Sequence, residues 1–337
     1  MILNDLSILN HNTFHLDYKA KCFACFSTEE EIARFVAEKS KYPQPIFVIG
    51  KGANLLFTNN FEGTIVHPDI RGINTEKEYS DKVIVSAGAG VEWDNFVVWC
   101  IENGFSGVEN LSYIPGTVGA TPIQNIGAYG CEVSSVIHKA RAISLSDGSV
   151  KEFSNKECRF GYRDSIFKHE LKGKYIFTKV FFELSKSAEA KCDYGRLAEV
   201  VKSFGEPTPL NIRKAIIQQR ESKLPNYKIL GNAGSFFKNP VIDKEKASSL
   251  KDEYPDMPCF DEPNGKNKLS AAWLIDKAGL KNRRYGDACV YEKQPLVIVN
   301  LGNATGDDII ALSQIVQKSV WEKFGVALEK EVEVVSI

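Results

Sequence analysis

Apolar positions recur along this chain at two periods, in short blocks separated by glycine turns. In "STEEEIARFVAEKSK" they fall at helical spacing behind Thr28, with Glu31 three residues on, the spacing of a capping box, so a helix is predicted there. "PIFVIGKGANLLF", from Pro45 to Phe57, reads as a buried strand, a glycine turn and a second apolar run. "KVIVSAGAGVEWDNFVVWCIENGF" predicts a strand over 83–87, a Gly-Ala-Gly turn, and a helix over about 93–103 that Gly104 stops. "KARAISL", "SVKEF" and "YIFTKVFFEL" are strand-like, and "SDGS" between the first two marks a hairpin. "PLNIRKAIIQQRESKLP" reads as a helix ending before Pro225. "KLSAAWLIDKAGLK" and "TGDDIIALSQIVQKSVWEKFG" read as further helices, the last entered at Thr305 and closed by Gly325. "VALEKEVEVVSI" ends the chain as a strand. The texture is α+β or α/β with short strands, and no repeat is visible.

Composition narrows the field. The 337 residues are 43% hydrophobic and 25% charged with net charge −1, which marks neither a nucleic-acid nor a membrane partner. No apolar run approaches the roughly 18–20 residues a bilayer span needs, and the first residues lack the pattern of a signal peptide, which points to the cytoplasm. Eight cysteines are scattered. Cys22 and Cys25 form a C-x-x-C, but on the strand read there residues three apart face opposite ways, so no metal or redox centre is expected.

Glycine is where candidate chemistry enters. "YIPGTVGATPIQNIGAYG", Tyr113 to Gly130, holds Gly116, Gly119, Gly127 and Gly130 with Pro115 and Pro122, and carries no charge. A linker of that composition is normally richer in charge. The loop suits either a tight turn between core elements or a diphosphate held by backbone N–H groups. Gly50-Lys51-Gly52 and Gly88-Ala89-Gly90 also follow apolar strands, but Leu55 and Trp93 stand where a dinucleotide fingerprint has its third glycine. Three such loops suggest one large phosphate-bearing ligand held by loops.

Taken in order, "GKGANLLF", "SAGAGVEWDNFV", "GVENLSYIPGTVGATPIQNIGAYG", "RFGYRDSIFK", "KLPN", "GNAGSFFKNP" and "LEKEVEVV" closely resemble the UDP-N-acetylenolpyruvoylglucosamine reductases, also called UDP-N-acetylmuramate dehydrogenases. The likeness runs from about residue 12 to the last strand. "DYGRL" at Tyr194 resembles the longer of the family's two forms, in which a tyrosine loop closes over substrate. Ala53 departs from the serine the family often has.

The resemblance implies an α+β chain with a vanillyl-alcohol-oxidase-like (PCMH-type) two-lobed FAD-binding fold and an α+β substrate-binding domain. Residues 1–70 with 325–337 would form the first lobe, 71–215 the second and 216–324 the substrate domain. It implies non-covalent FAD, NADPH as hydride-donating cosubstrate, and reduction of UDP-N-acetylglucosamine enolpyruvate to UDP-N-acetylmuramate for peptidoglycan. It implies a cytoplasmic monomer with no metal. The FAD contacts it implies are Gly50, Lys51, Gly52, Ala53, Asn54, Leu55, Gly88 and Gly90. In the long loop they are Tyr113, Pro115, Gly116, Gly119, Ala120, Gln124, Asn125, Gly127, Ala128 and Tyr129.

The reaction sets two tasks. Charge that builds beside the substrate carboxylate must be stabilised, and the adjacent carbon must gain a proton. By the family motif Arg163 forks onto the carboxylate, a structural pair with Asp164 being the alternative. Ser235 is the proton donor, where a turn or cap serine is the alternative. Glu331 faces the reaction and is expected to be protonated or to share a proton, since a carboxylate would repel the developing charge. Glu329 and Glu333 share its strand parity, so the motif alone selects it. Tyr194, Arg220, Lys223, Asn239, Lys281 and Gln294 are the implied substrate contacts. An oxidase of a small alcohol on the same fold is a rival, and so is a catalytically dead nucleotide-binding scaffold.

Overall fold

Thr28 opens the helix Glu29–Ala37, its hydroxyl accepting the Glu31 N–H at 3.2 Å. The Glu31 carboxylate reaches back past the cap to the Ser27 N–H at 2.7 Å. The structure, a computed structural model, describes residues 1–187 and 191–336. Two bodies divide the chain. The first is Met1–Leu6, Lys19–Gly52 and Phe61–Ser222; the second is Ser7–Tyr18, Ala53–Asn60 and the residues from Lys223 on.

The first body carries two sheets. In one, the strands Lys19–Phe26 and Ile46–Val48 both run parallel to Phe61–Pro68, with Ile2–Ser7 at the edge beside Lys19–Phe26. The helix Glu29–Ala37 supplies the crossover from Lys19–Phe26 to Ile46–Val48, the strands on either side of Phe61–Pro68. The other sheet has the order Val150–Ser154, Ile137–Ser144, Tyr175–Ser185, Lys82–Gly88, Ile73–Glu78, all antiparallel. Its hairpin turns at the expected "SDGS". There the Asp147 carboxyl sits at a pKa of about 2 because it accepts the Ser149 N–H and hydroxyl. The helix Trp93–Glu102 buries Trp93, Phe96, Val97 and Cys100 in the core shared with Val83, Val85 and Phe182. Gly104, with φ +74°, ends that run as expected. The Cys22 and Cys25 strand is also as read: one thiol is buried, the other half-buried, and burial raises both pKa values. No metal-binding cluster stands among the described residues.

The second body is assembled from distant pieces. Phe14, Leu56, Phe236, Phe237, Leu274, Val316 and Val332 share one core. The helix Gly306–Phe324 supplies Ile309, Leu312, Val316, Val320 and Phe324 at spacings of three and four. Thr305 and Asp308 cap it reciprocally, and Gly325 ends it at φ +61°. A Cβ on Gly306 would strike the Phe57 carbonyl, so the helix start lies directly on the strand Leu55–Phe57. That strand pairs in parallel with Glu333–Val335.

The chain end differs from the single long strand expected. Val326, Leu328 and Val332 are buried, the chain bends at Val332, and Val335 is the next buried residue. The ladder begins only at Glu333, so strand parity does not carry through the three glutamates. Helices Leu197–Lys202 and Lys244–Glu253 were not anticipated. The second is polar enough (KEKASSLKDE) that only Ala247 and Leu250 are buried. No helix among the described residues is long and apolar enough to cross a membrane.

Candidate functional site

In the first body the three glycine turns meet. A Cβ on Gly119 would lie 2.6 Å from that of Ala89, and one on Gly90 would lie 2.6 Å from the Asp69 Cα. At Gly50 a Cβ would strike the Thr117 hydroxyl, and at Gly88 the Ile70 carbonyl. No side chain fits at those separations, so glycine lets the loops lie backbone against backbone. Gly116 is different: its φ is +139° and a Cβ there would meet nothing within 4 Å.

The charges of this cradle are paired: the Asp69 carboxylate beside Gly90 is joined to Arg71. Lys51 is paired with Glu92 at 2.6 Å. The N–H groups of Val118 and Gly119 bond the Val91 and Ala89 carbonyls at 2.9 Å, and that of Ala120 bonds the Thr117 carbonyl at 3.0 Å, so these residues shape the loop. Asn125 is buried with φ +48° and spends both amide donors inside the protein, on Glu132 at 2.7 Å and the Gly161 carbonyl at 2.9 Å. Pro115, Gln124 and Ala128 are half-buried.

Two guanidinium groups complete this part. Arg163 lies in the turn Gly161–Asp164, closed by backbone bonds of 3.0 and 3.1 Å, with a left-handed φ of +54°. A Cβ on Gly127 would lie 3.3 Å from Arg163 Nη1, so the cation rests near the bare face of that glycine. Asp164 is held by His169 at 2.8 Å. Arg220, on the helix Pro209–Lys223, has an Nε shut off from solvent with no hydrogen-bond partner, and the neighbouring Gln219 Nε2 is in the same state. Burial lowers the Arg220 pKa; Tyr129 opposes that shift and Arg163 adds to it. Buried donors without partners are costly. Two such donors on consecutive residues of that helix fit an acceptor-rich anionic ligand.

Two ties hold that helix to the long loop. Asp94 accepts both Arg213 donors, and also the Tyr113 N–H at 2.6 Å. Tyr113, itself left-handed at φ +63°, donates its hydroxyl to Glu221 at 3.1 Å. Neither Asp94 nor Arg213 was expected from sequence. Tyr194 is exposed, with its ring edge-on to Tyr129 at 6.0 Å and 77°.

In the second body one residue ties two candidates together. The strand Gly231–Ser235 pairs Ser235 with Val297. The next residue, Phe236, donates its N–H to the Leu296 carbonyl at 2.8 Å and accepts the Glu331 N–H at 2.9 Å. Phe237 bridges Lys330, and the Lys238 N–H bonds the Glu329 carbonyl at 2.9 Å. Asn54 adds an amide donor to the Glu331 carbonyl at 3.1 Å. Ser235 and Glu331 therefore flank the buried Phe236 on adjoining chains. Glu329 is exposed and paired with Lys238 at 2.6 Å, so position separates it from Glu331 where parity could not.

The remaining candidates of this body are more scattered. Leu55 sits in the ladder with Glu333, and Ala53 is half-buried. Asn239 accepts the Ala271 N–H at 3.0 Å, capping the helix Ala271–Lys277 with Ser270. Lys281 pairs with Asp276 at 2.8 Å. Lys223 is exposed at a helix end, and Gln294 is half-buried in the turn before Val297.

Comparison with known proteins agrees with both halves. An FAD binding domain family matches residues 20–154, and the C-terminal domain of UDP-N-acetylenolpyruvoylglucosamine reductase matches 225–335. A reductase of that name from Flavobacterium johnsoniae is 42% identical over 337 residues, covering 99% of each chain. One from Chromobacterium violaceum is 44% identical over 330 residues, covering 97% of each. The crystal structure of UDP-N-acetylenolpyruvylglucosamine reductase from Thermus caldophilus matches with a TM-score of 0.70 at 24% identity, over 100% of this chain and 98% of that one. At that identity it speaks to the fold alone.

Proposed function

Because this chain belongs to the UDP-N-acetylenolpyruvoylglucosamine reductase family, we propose that it uses NADPH to reduce the enolpyruvyl ether of UDP-N-acetylglucosamine to the lactyl ether of UDP-N-acetylmuramate. It is an FAD-dependent oxidoreductase of peptidoglycan synthesis with a vanillyl-alcohol-oxidase-like FAD-binding fold. Bound FAD supplies the hydride that reaches the methylene carbon. The loops at Gly50, Gly88 and Gly116 would hold it.

The chain's own residues do the rest. Hydride at the methylene carbon leaves negative charge on the neighbouring carbon and its carboxylate. Arg163 forks onto that carboxylate with two charged hydrogen bonds. The Ser235 hydroxyl gives the carbon its proton. Glu331, protonated at that moment, adds a donor without adding repulsion. Tyr194, Arg220, Lys223, Asn239, Lys281 and Gln294 take the UDP-sugar, Lys223 as a point charge on the diphosphate. The three-part division of the chain at 70 and 215, a monomeric state and a cytoplasmic address belong to the same reading.

What carries this reading is the Phe236 rung, which supports a joint role for Ser235 and Glu331 because both backbones are locked to one buried residue. The test is anaerobic. NADPH should bleach the flavin absorbance of the purified protein, and UDP-N-acetylglucosamine enolpyruvate should restore it with formation of UDP-N-acetylmuramate. Bleaching by NADPH with no recovery on adding that substrate would refute the assignment.

A further inference from the structure

We propose that Asn110 is the positioning residue of the Tyr194 segment. It is buried, 2% exposed, on the turn Glu109–Leu111. Its Nδ2 donates to the Tyr129 carbonyl at 3.1 Å and to the Lys191 carbonyl at 2.8 Å. A side-chain amide has two donor hydrogens. Both are spent, each on a segment remote in sequence from the other.

What those two segments carry gives the clamp its meaning. One holds Tyr129 and Gly130, both left-handed at φ +49° and +76°. The other leads to Tyr194, whose ring stands edge-on to Tyr129, and a Cβ on Gly130 would lie 3.5 Å from the Tyr194 Cβ. Tyr129 and Cys192 also pack on the cluster of Leu197, Val201, Ile212 and Ile216, which includes residues of the helix bearing Arg220. One buried amide thus joins the segment that leads to the exposed tyrosine to the segment its ring stands against. Asp193, Gly195 and Arg196 are exposed; beyond them the buried Leu197 donates its N–H to the Tyr194 carbonyl at 3.1 Å, so Asn110 holds the side of the segment that precedes Tyr194. Beside the clamp, the buried Glu109 carboxylate accepts the Gly107 N–H at 2.6 Å, which fixes the turn Asn110 stands on.

This inference rests on the reading of Tyr194 as a contact for the UDP-sugar: Asn110 sets where the ring waits and so sets substrate affinity, leaving the NADPH half-reaction alone. Asn110→Asp keeps the shape and loses both donors, and Asn110→Ala loses the group. The first readout needs no substrate. In the flavin-loaded protein, trypsin cleavage after the exposed Lys191 should rise at least tenfold in both variants, measured against cleavage after the exposed Lys293. The second is kinetic. The KM for UDP-N-acetylglucosamine enolpyruvate should rise about tenfold, with kcat and the rate of flavin reduction by NADPH within twofold of wild type. Unchanged cleavage at Lys191 overturns the proposal. So does an equal rise at both lysines, which makes Asn110 a residue that holds the whole fold. A selective rise at Lys191 with unchanged KM overturns the link to substrate. If the wild-type protein turns over no enolpyruvyl sugar, the functional reading falls while the protease comparison still decides whether Asn110 clamps the segment.

Discussion

The Asp94 carboxylate holds the Arg213 guanidinium by both oxygens, at 2.5 and 2.8 Å, and the Tyr113 N–H as well. Burial pushes the Asp94 pKa up, but the hydrogen bonds from Arg213 and Tyr113 outweigh it and hold the carboxyl below its ordinary value. A carboxyl with a depressed folded-state pKa stabilises the fold fully above its unfolded pKa of about 4. That contribution fades as pH falls through the lower folded value. Both side chains are mostly out of solvent, at 14% and 29% exposure. Asp94→Asn should therefore cost about 2 kcal/mol at pH 7. Urea melts should show the gap to wild type intact at pH 6, narrowing below about pH 4, and closed in stronger acid. A gap that stays constant with pH would remove the ion pair from the account.

Ser235→Ala separates the two halves of the proposed reaction. Flavin reduction by NADPH requires no proton delivered to a substrate carbon and should stay within about tenfold of wild type. Reoxidation by the enolpyruvyl substrate should slow by the roughly 10²–10⁴ attributed to a positioned acid. Ser235→Cys, which keeps a proton near the same place, should lose less. Rapid-mixing traces of flavin absorbance resolve the two phases, and wild-type reoxidation in the alanine variant would assign the proton elsewhere.

Arg163 sits in a left-handed turn that an arginine adopts at a cost of about 1 kcal/mol. Arg163→Gly should relieve that strain and raise thermal stability slightly while turnover collapses. Arg163→Lys keeps the charge and loses the fork, so it should still lose most of kcat. Calorimetry beside steady-state rates checks the pair. A stabilised and active glycine variant would show that the cation is not used.

Gly119→Ala should damage the cofactor cradle without touching any charge. Its Cβ would lie 2.6 Å from that of Ala89, so the turns must part, at an expected cost of about 1–3 kcal/mol. The purified variant should carry less flavin per chain by absorbance. Full flavin content with unchanged stability would mean that the close approach is not required.

Much of this was readable in the sequence where a residue dictates local geometry. Thr28, Thr305, Gly104 and Gly325 begin or end helices as their chemistry requires, and "SDGS" turns its hairpin. Pairings between distant segments were not readable. Nothing near Asp94 in sequence names Arg213, and nothing near Asn110 names Lys191, because such partners are fixed by packing of whole elements. The terminal glutamates show the same limit. Alternation treats positions 329, 331 and 333 alike, but the bend at Val332 and the pairing of Glu329 with Lys238 distinguish them. The third-glycine positions of the two short turns did tell the truth. Leu55 opens a strand and Trp93 a helix, so neither turn has the third glycine of a dinucleotide fingerprint.

The second body takes its first residues from before position 20 and its last strand from the far end of the chain. During synthesis, then, Phe14 and Leu56 leave the ribosome long before their core exists. Leu55–Phe57 waits for a ladder partner, Glu333–Val335, that is made far later. At about 5–20 residues per second, Glu331 is added on the order of ten seconds after Ser235. A nascent chain can complete its first body while the second stays open, with apolar segments exposed at both ends of what has been translated. A premature stop before Glu333 would leave that body without the partner of Leu55–Phe57.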